Sequence, residues 1–223
     1  MMMSALHLFA QASKTGAKLI TIRHDEAEAS GLEAGIHIFT DHFNTPYEIT
    51  SGSKEAVEVT TSLLNAETDN DFAVFTSRYG PLRFTRRFEA GMCTLVREQR
   101  FIAQELKNLN ESLQTGGFTD TNPPPSGLVM SPFTVGFNLW LKPKECSRGF
   151  NPVFMTYSLY CFISSEIITR AMAGRPLLVC ENCAGYYRPS RRDTRFCGGR
   201  CRTAHSRLPR VEIGTSESQP QKV

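Results

Sequence analysis

Four cysteines near the C-terminal end are the residues of this chain best suited to do chemistry. They fall in two close pairs, with two residues inside the first pair, thirteen between the pairs and three inside the second: Cys180, Cys183, Cys197 and Cys201. Pairs at this separation can turn their sulfurs toward one point, and four thiolates complete the tetrahedral site that Zn²⁺ prefers. The spacing predicts a zinc-bound module over residues 178–210.

Other uses of these side chains stay open from the sequence. The four cysteines could form two disulfides or remain free thiols. His205 lies four residues after Cys201 on the same predicted helix face, so it could replace Cys201 as the fourth ligand. The chain starts with Met1-Met2-Met3-Ser4 and has no basic and apolar export signal there. That start favours a reducing cytoplasm, and therefore zinc over disulfides.

The module needs a particular local fold to bring its cysteines together. The glycines between Cys197 and Cys201 predict a knuckle that opens a helix, and Pro209 ends that helix after Leu208. A knuckle, a hairpin and a second knuckle on a helix form a treble-clef-like finger. A segment this short buries little apolar surface, so bound zinc is expected to supply most of its folding free energy.

Arginine is concentrated in the same segment. Residues 186–210 hold eight arginines against one acid, Asp193, whereas residues 1–185 carry 16 basic and 19 acidic residues. The planar guanidinium suits bidentate contacts with phosphate. The pattern predicts a nucleic-acid partner, most simply duplex DNA. The predicted contact residues are Arg188, Arg191, Arg192, Arg195, Arg200, Arg202 and Arg207.

Two simpler explanations of the arginines stay open. A four-thiolate zinc centre carries a formal charge of −2, and nearby cations stabilise it. The arginines could also form a solvated face that keeps the protein soluble. If they do bind DNA, one finger offers few contacts, which predicts a homodimer or an additional contact surface.

The cysteine and arginine segment resembles the C-terminal finger of bacterial CGNR-type zinc-finger proteins. The resemblance is carried by CENCAGYYRPSRRDTRFC at 180–197, continued by GGRCRTAH, and by FAVFTSRYGPL at 72–82. Proteins of this type are described as transcription regulators, so the resemblance implies a bacterial regulator with a C-terminal finger. Here Cys201 is followed by Arg-Thr-Ala instead of Gly-Asn-Arg, and the cysteine spacings are tighter. The resemblance is therefore specific to the finger.

The first 177 residues predict an α+β domain that is mostly helical with a small β-sheet. β-Branched and aromatic residues between turn formers predict strands over 18–23 and 35–43, with a third over 47–50. A capping pattern at 68–71 predicts a short helix ending at Tyr79.

Two longer helices are predicted after it. Apolar residues recur every three, four and seven positions over 85–113, and a second helix is expected over 152–173 before Gly174. The apolar stripe of the first could be core packing or a dimer seam. Residues 116–127 predict a loop or spacer, and residues 211–223 a disordered tail.

The N-terminal domain offers little recognisable chemistry. It has no phosphate loop or dinucleotide fingerprint, and no apolar run is long enough for a membrane span. We therefore expect a protein that is not an enzyme, does not enter membranes, and senses a small-molecule effector or dimerises through this domain. One alternative is an enzyme with its site at His37, Asp41 and His42. Another is a finger that serves as a structural clasp or protein-docking module on a small-molecule-binding domain.

Overall fold

The computed structural model describes residues 6–13, 16–40, 43–82, 86–88, 91–115, 138–143, 150–156, 158–191 and 193–207. In chain order the elements of these residues are β1 (Leu6–Ser13), β2 (Lys18–Ile22), α1 (His24–Ser30), β3 (Gly35–Thr40), β4 (Phe43–Thr50), α2 (Lys54–Leu64), α3 (Asp69–Tyr79), β5 (Arg86–Phe88), β6 (Gly91–Leu95), α4 (Val96–Thr115), β7 (Asn138–Pro143), β8 (Phe150–Thr156), α5 (Leu159–Met172), β9 (Leu178–Val179), β10 (Tyr186–Tyr187) and α6 (Gly199–Ser206). The predicted tail, the 116–127 segment, Leu208 and Pro209 lie outside these ranges.

The strands before residue 177 form two four-stranded sheets. One has the order β4-β1-β8-β7 and the other the order β2-β3-β6-β5. Neighbouring strands are antiparallel except β1 and β8, which pair in parallel. The α+β class is confirmed, but the sequence predicted one small sheet where the described residues form two.

The elements with strong local signals lie where the sequence placed them. Strands β2, β3 and β4 cover the three predicted strands. Helix α3 begins after Thr68, whose hydroxyl accepts a hydrogen bond from the Asp71 N–H at 3.2 Å. The Asp71 carboxylate accepts one from the Thr68 N–H at 2.8 Å in return. This reciprocal pair is the capping box that the sequence predicted.

The helix predicted over 85–113 is wrong in its first third. Strands β5 and β6 occupy that part, and α4 begins only at Val96. Strand β6 pairs with β3 so closely that a Cβ on Gly91 would lie 2.5 Å from the Thr40 carbonyl oxygen. Glycine permits this approach, and pairing with a distant strand overrides the local helical period.

The helix predicted over 152–173 is also wrong at its start. Residues 150–156 form β8, which lies between β1 and β7, and α5 begins at Leu159. The Ser158 hydroxyl caps this helix by accepting a hydrogen bond from the Cys161 N–H at 3.3 Å. Gly174 follows the helix in the left-handed conformation, at a φ of 66°, as predicted for its end.

The main core is shared by the β4-β1-β8-β7 sheet and helices α2 to α5. Ile102 and Leu106 of α4 are buried in it, so the apolar stripe of this helix packs in the core. Tyr186 of β10 also belongs to this core. The cysteine segment is therefore packed on the N-terminal domain. Among the helices of the described residues, none is both long and apolar enough to cross a bilayer.

Candidate metal centre

The first cysteine pair lies in a tight turn between two short strands. Strand β9 pairs antiparallel with β10, so that Val179 is opposite Tyr186. Inside the turn, the Ala184 N–H donates to the Cys180 carbonyl and the Cys180 N–H donates to the Gly185 carbonyl, both at 2.9 Å. These bonds close the chain around Cys180 and Cys183.

The second pair is placed by the start of α6. Cys197 precedes two glycines, and the Arg202 N–H donates to the Gly198 carbonyl at 3.2 Å as the helix begins. Cys201 lies in the first turn of this helix, where its sulfur is 3.4 Å from that of Cys197. The knuckle and helix that the glycine spacing predicted are present.

The four sulfurs form one compact cluster. All of them lie within 4.8 Å of one another, and those of Cys183 and Cys197 are 3.8 Å apart. Tetrahedral zinc with bonds of about 2.3 Å would separate its sulfurs by about 3.8 Å. A disulfide would hold two sulfurs at about 2.05 Å, and all four cysteines are free. The cluster can bind a metal ion, and four thiolates are the donor set of structural zinc sites.

Backbone N–H groups prepare one thiolate in this cluster. Burial raises the pKa of Cys180, but the N–H groups of Cys197, Cys183 and Asn182 outweigh it and lower that pKa to about 6. The pKa of Cys197 is raised to about 12 by its hydrogen bond with the Cys201 thiol and by burial. At neutral pH Cys180 is therefore ionised, while Cys197 keeps a proton that a bound metal ion must displace.

His205 has a different neighbour. Its ring packs against Phe196 with the ring centroids 5.0 Å apart. Among the described residues, the ligand cluster consists of the four cysteines. For His205 to replace Cys201 as a ligand, its ring would have to leave Phe196.

The predicted nucleic-acid residues lie around the cluster, with two differences. Arg195 pairs with Glu181 at 3.4 Å, and its guanidinium lies 5.9 Å from the centroid of the Phe196 ring. Arg192 lies outside the described residues. The remaining five are exposed and form no ion pair with any residue that the structure describes: Arg188, Arg191, Arg200, Arg202 and Arg207.

The module is fastened to the N-terminal domain by a contact that the sequence did not reveal. At the end of α2, the Asn65 amide donates to the Tyr186 carbonyl at 3.1 Å and its oxygen accepts from the Tyr186 N–H at 2.6 Å. The Tyr186 hydroxyl donates to the Glu111 carboxylate at 2.8 Å. Asn110 donates to the Leu177 carbonyl at 3.1 Å, and Gln114 donates to the same oxygen. Asn65 thus continues the β9–β10 ladder as a neighbouring strand would.

Replacing Asn65 with Ala is expected to destabilise the protein by about 1–3 kcal/mol, because both backbone groups of Tyr186 would lose their partner in a partly buried place. Urea denaturation of the zinc-loaded protein measures this loss. Asn108→Ala is the matched control, since the Asn108 side chain bonds only to Gln104 at the exposed surface of α4. Equal stability of the two variants would contradict the docking role of Asn65.

The other candidates of the sequence do not join this centre. His37 is buried, and its Nε2 lies 2.9 Å from the Glu33 carbonyl oxygen. Asp41 and His42 lie outside the described residues. Cys93 in β6 and Cys161 in α5 are buried free thiols. They therefore pack as small apolar groups.

The fold and the site define an α+β protein with a four-cysteine cluster able to bind a metal ion near its C-terminal end. Comparison of the chain with models of known protein families, with characterised proteins and with solved structures found no match. The resemblance of the finger segment to CGNR-type proteins stays a prediction.

Proposed function

We propose that this protein is a zinc-bound nucleic-acid-binding protein, a transcription regulator of the CGNR type, with a treble-clef-like finger as its DNA contact. The observation that carries the proposal is the combination of four clustered thiols with five exposed, unpaired arginines around them. Residues 1–177 serve as the domain that senses an effector or forms a dimer. No catalytic residue is assigned.

The roles within the module follow from its geometry. The four thiolates hold Zn²⁺, which supplies a structural cross-link between the β9–β10 turn and α6. That cross-link fixes the hairpin with Arg188 and Arg191 relative to the helix with Arg200 and Arg202. Guanidinium groups held on one small rigid unit can contact neighbouring phosphates of a duplex.

The charge of the cluster does not account for these arginines. Three N–H groups already stabilise the Cys180 thiolate, and Arg195 is the arginine that is tied back to the module through Glu181. The exposed arginines are left for an external anion. Nucleic acid is the polyanion that a row of guanidinium groups suits best.

Replacing Arg188, Arg191 and Arg202 together with Ala is expected to weaken binding to random duplex DNA at least about tenfold at low salt. Each lost phosphate contact should flatten the slope of log K against log salt by about 0.9, or about 2.7 for three. Titrations at several salt concentrations measure both quantities, and metal analysis checks that the variant keeps its zinc.

The control for charge is a second triple variant on the N-terminal domain. Arg23, Arg97 and Arg100 are exposed and paired with acids, so their replacement with Ala removes the same net charge away from the module. Its salt slope should equal that of the unmodified protein. Equal loss in both triple variants, or binding independent of salt, would refute the proposed interface.

A second candidate function is supported by the docking contacts. Asn65, Asn110 and Gln114 all bond to the backbone next to the module, and Tyr186 lies in the main core. A module held this firmly could serve as a structural clasp or a protein-docking surface. That function predicts one zinc per chain with no DNA binding in any variant, and a weakened protein contact when the arginines are removed.

A further inference from the structure

A pocket with a volume of about 220 Å³ lies between α2 and α3, away from the cysteines. Ser62 and Asn65 line it from the end of α2, and Val74, Phe75 and Tyr79 line it from α3. Its volume equals that of roughly seven water molecules at about 30 Å³ each. It is smaller than the pockets of about 300–1,000 Å³ that hold drug-sized ligands.

Tyr79 brings an unused hydrogen-bond donor to this pocket. Its side chain is about nine-tenths buried, with 7% relative exposure, and its hydroxyl has no hydrogen-bond partner among the residues that the structure describes. Burial raises the pKa of Tyr79, although the Ser62 hydroxyl and Arg78 oppose that rise. The hydroxyl is therefore protonated at neutral pH. A buried donor without a partner is costly, so an acceptor bound in the pocket would stabilise this site.

The charges around the pocket determine which ligands suit it. Arg78 is paired with the Glu58 carboxylate at 2.6 Å, so it is not free to hold an anion. The hydrogen bonds from Thr68 and Glu67 lower the pKa of Asp71, and this carboxylate stays ionised at the rim. Two acids against one base disfavour an anionic ligand.

The walls also offer apolar contact. Val74 is 59% exposed although it lies on a helix face beside the pocket, and Phe75 packs against Tyr79 with ring centroids 5.2 Å apart. A flat apolar group could cover Val74 and the edge of these rings, removing apolar surface from water.

We propose that this pocket binds a small neutral molecule with a flat apolar body and a carbonyl oxygen. The Tyr79 hydroxyl donates to that oxygen, the Ser62 hydroxyl offers a second polar contact, and Val74 and Phe75 cover the apolar body. This proposal does not require the metal centre to bind nucleic acid.

Asn65 connects the pocket with the metal centre. The same side chain lines the pocket and holds both backbone groups of Tyr186. A ligand that contacts Asn65 changes the surroundings of the Tyr186 amide, six residues after Cys180 in the chain. Occupancy of the pocket is thereby transmitted to the module.

Benzamide is the probe for this site, because it is neutral, flat and carries a carbonyl. In the ¹⁵N-labelled, zinc-loaded full chain, its titration should shift the amide signals of Asn65, Val74, Tyr79 and Tyr186 in a saturable way. Tyr79→Phe keeps the ring and removes the donor, so it should weaken binding about 2–12-fold. Val74→Trp should block the pocket and abolish the shifts.

The controls separate this site from nonspecific binding. Benzoate has nearly the same shape as benzamide and a negative charge, so it should bind at least several-fold more weakly. The absence of saturable shifts up to the solubility of benzamide would overturn the proposal, as would unchanged binding in Val74→Trp. The assay contains no nucleic acid, so its failure is distinguishable from failure of the DNA-binding proposal.

Discussion

Replacing Cys180 with Ser is expected to reduce bound zinc from one ion per chain to a small fraction of that value and to unfold the module. Cys180 is the ligand whose thiolate the backbone already stabilises, and its sulfur receives the Cys197 N–H at 3.4 Å. Structural zinc contributes about 10–16 kcal/mol in small fingers, which is far more than this short segment can gain from packing. Metal analysis and amide hydrogen exchange over residues 178–207 measure the two losses.

Two further variants make this result specific. Cys161→Ser changes a buried thiol in α5 that has no part in the cluster, so it should keep one zinc per chain. His205→Ala should also keep its zinc if the four thiolates are the ligands. Zinc retained in Cys201→Ser and lost in His205→Ala would instead establish His205 as the fourth ligand. Zinc retained in Cys180→Ser would refute the ligand set.

The effect of zinc loss should extend beyond the module. Tyr186 contributes to the main core and is bonded to Asn65 of α2 and Glu111 of α4. When the β9–β10 turn loses its cross-link, these contacts lose their fixed partner. Removal of zinc is therefore expected to lower the stability of the N-terminal domain as well, which an isolated, tethered finger would not do.

The cysteine cluster could be predicted because its geometry is local. Cysteine pairs separated by two or three residues can converge through one turn of chain, whatever the rest of the fold does. The same holds for α3, where Thr68 and Asp71 bond to each other's backbone within four residues. Signals of this range are fully contained in a short window of sequence.

Strands β6 and β8 could not be predicted in this way. Their apolar residues at 92, 95, 153 and 155 fit a helical period as well as a strand, and they continue directly into real helices. What makes them strands is pairing with β3 and with β1, which lie far earlier in the chain. Periodicity within one window contains no information about those partners.

The docking of the module was invisible for the same reason. Asn65 bonds to a residue 121 positions away in the chain. From the sequence it is an ordinary polar residue after an amphipathic helix. The arginine contacts are intermediate, because their exposure was predictable from charge but the pairing of Arg195 with Glu181 was not.

Replacing Glu166 with Gln is expected to destabilise the protein by about 3–5 kcal/mol, because it leaves a buried arginine without its counter-charge. The Glu166 side chain is fully buried, and one carboxylate oxygen accepts from the Arg170 Nε at 2.6 Å. The other oxygen accepts from the Ser51 hydroxyl at 2.7 Å and the Gly52 N–H at 2.9 Å. This carboxylate thus joins α5 to the turn between β4 and α2.

A loss of this size is a large part of the total stability of about 5–15 kcal/mol that domains usually have. Urea denaturation of the zinc-loaded protein measures it. Glu33→Gln is the matched control, because Glu33 pairs with Arg97 at the exposed surface, where such pairs contribute about 0–1 kcal/mol. Similar values for the two variants would contradict the role of the buried pair.

A double variant separates the two causes of the Glu166→Gln loss. In Glu166→Gln with Arg170→Met, the glutamine amide can still bond to the turn at Ser51 and Gly52, while the unpaired buried charge is gone. If that charge causes most of the loss, the double variant should be more stable than Glu166→Gln alone. If the two variants are equally unstable, the bonds to the turn carry the effect. In that case, Glu166 acts mainly as a fastener between α5 and α2, as Asn65 does between α2 and the metal centre.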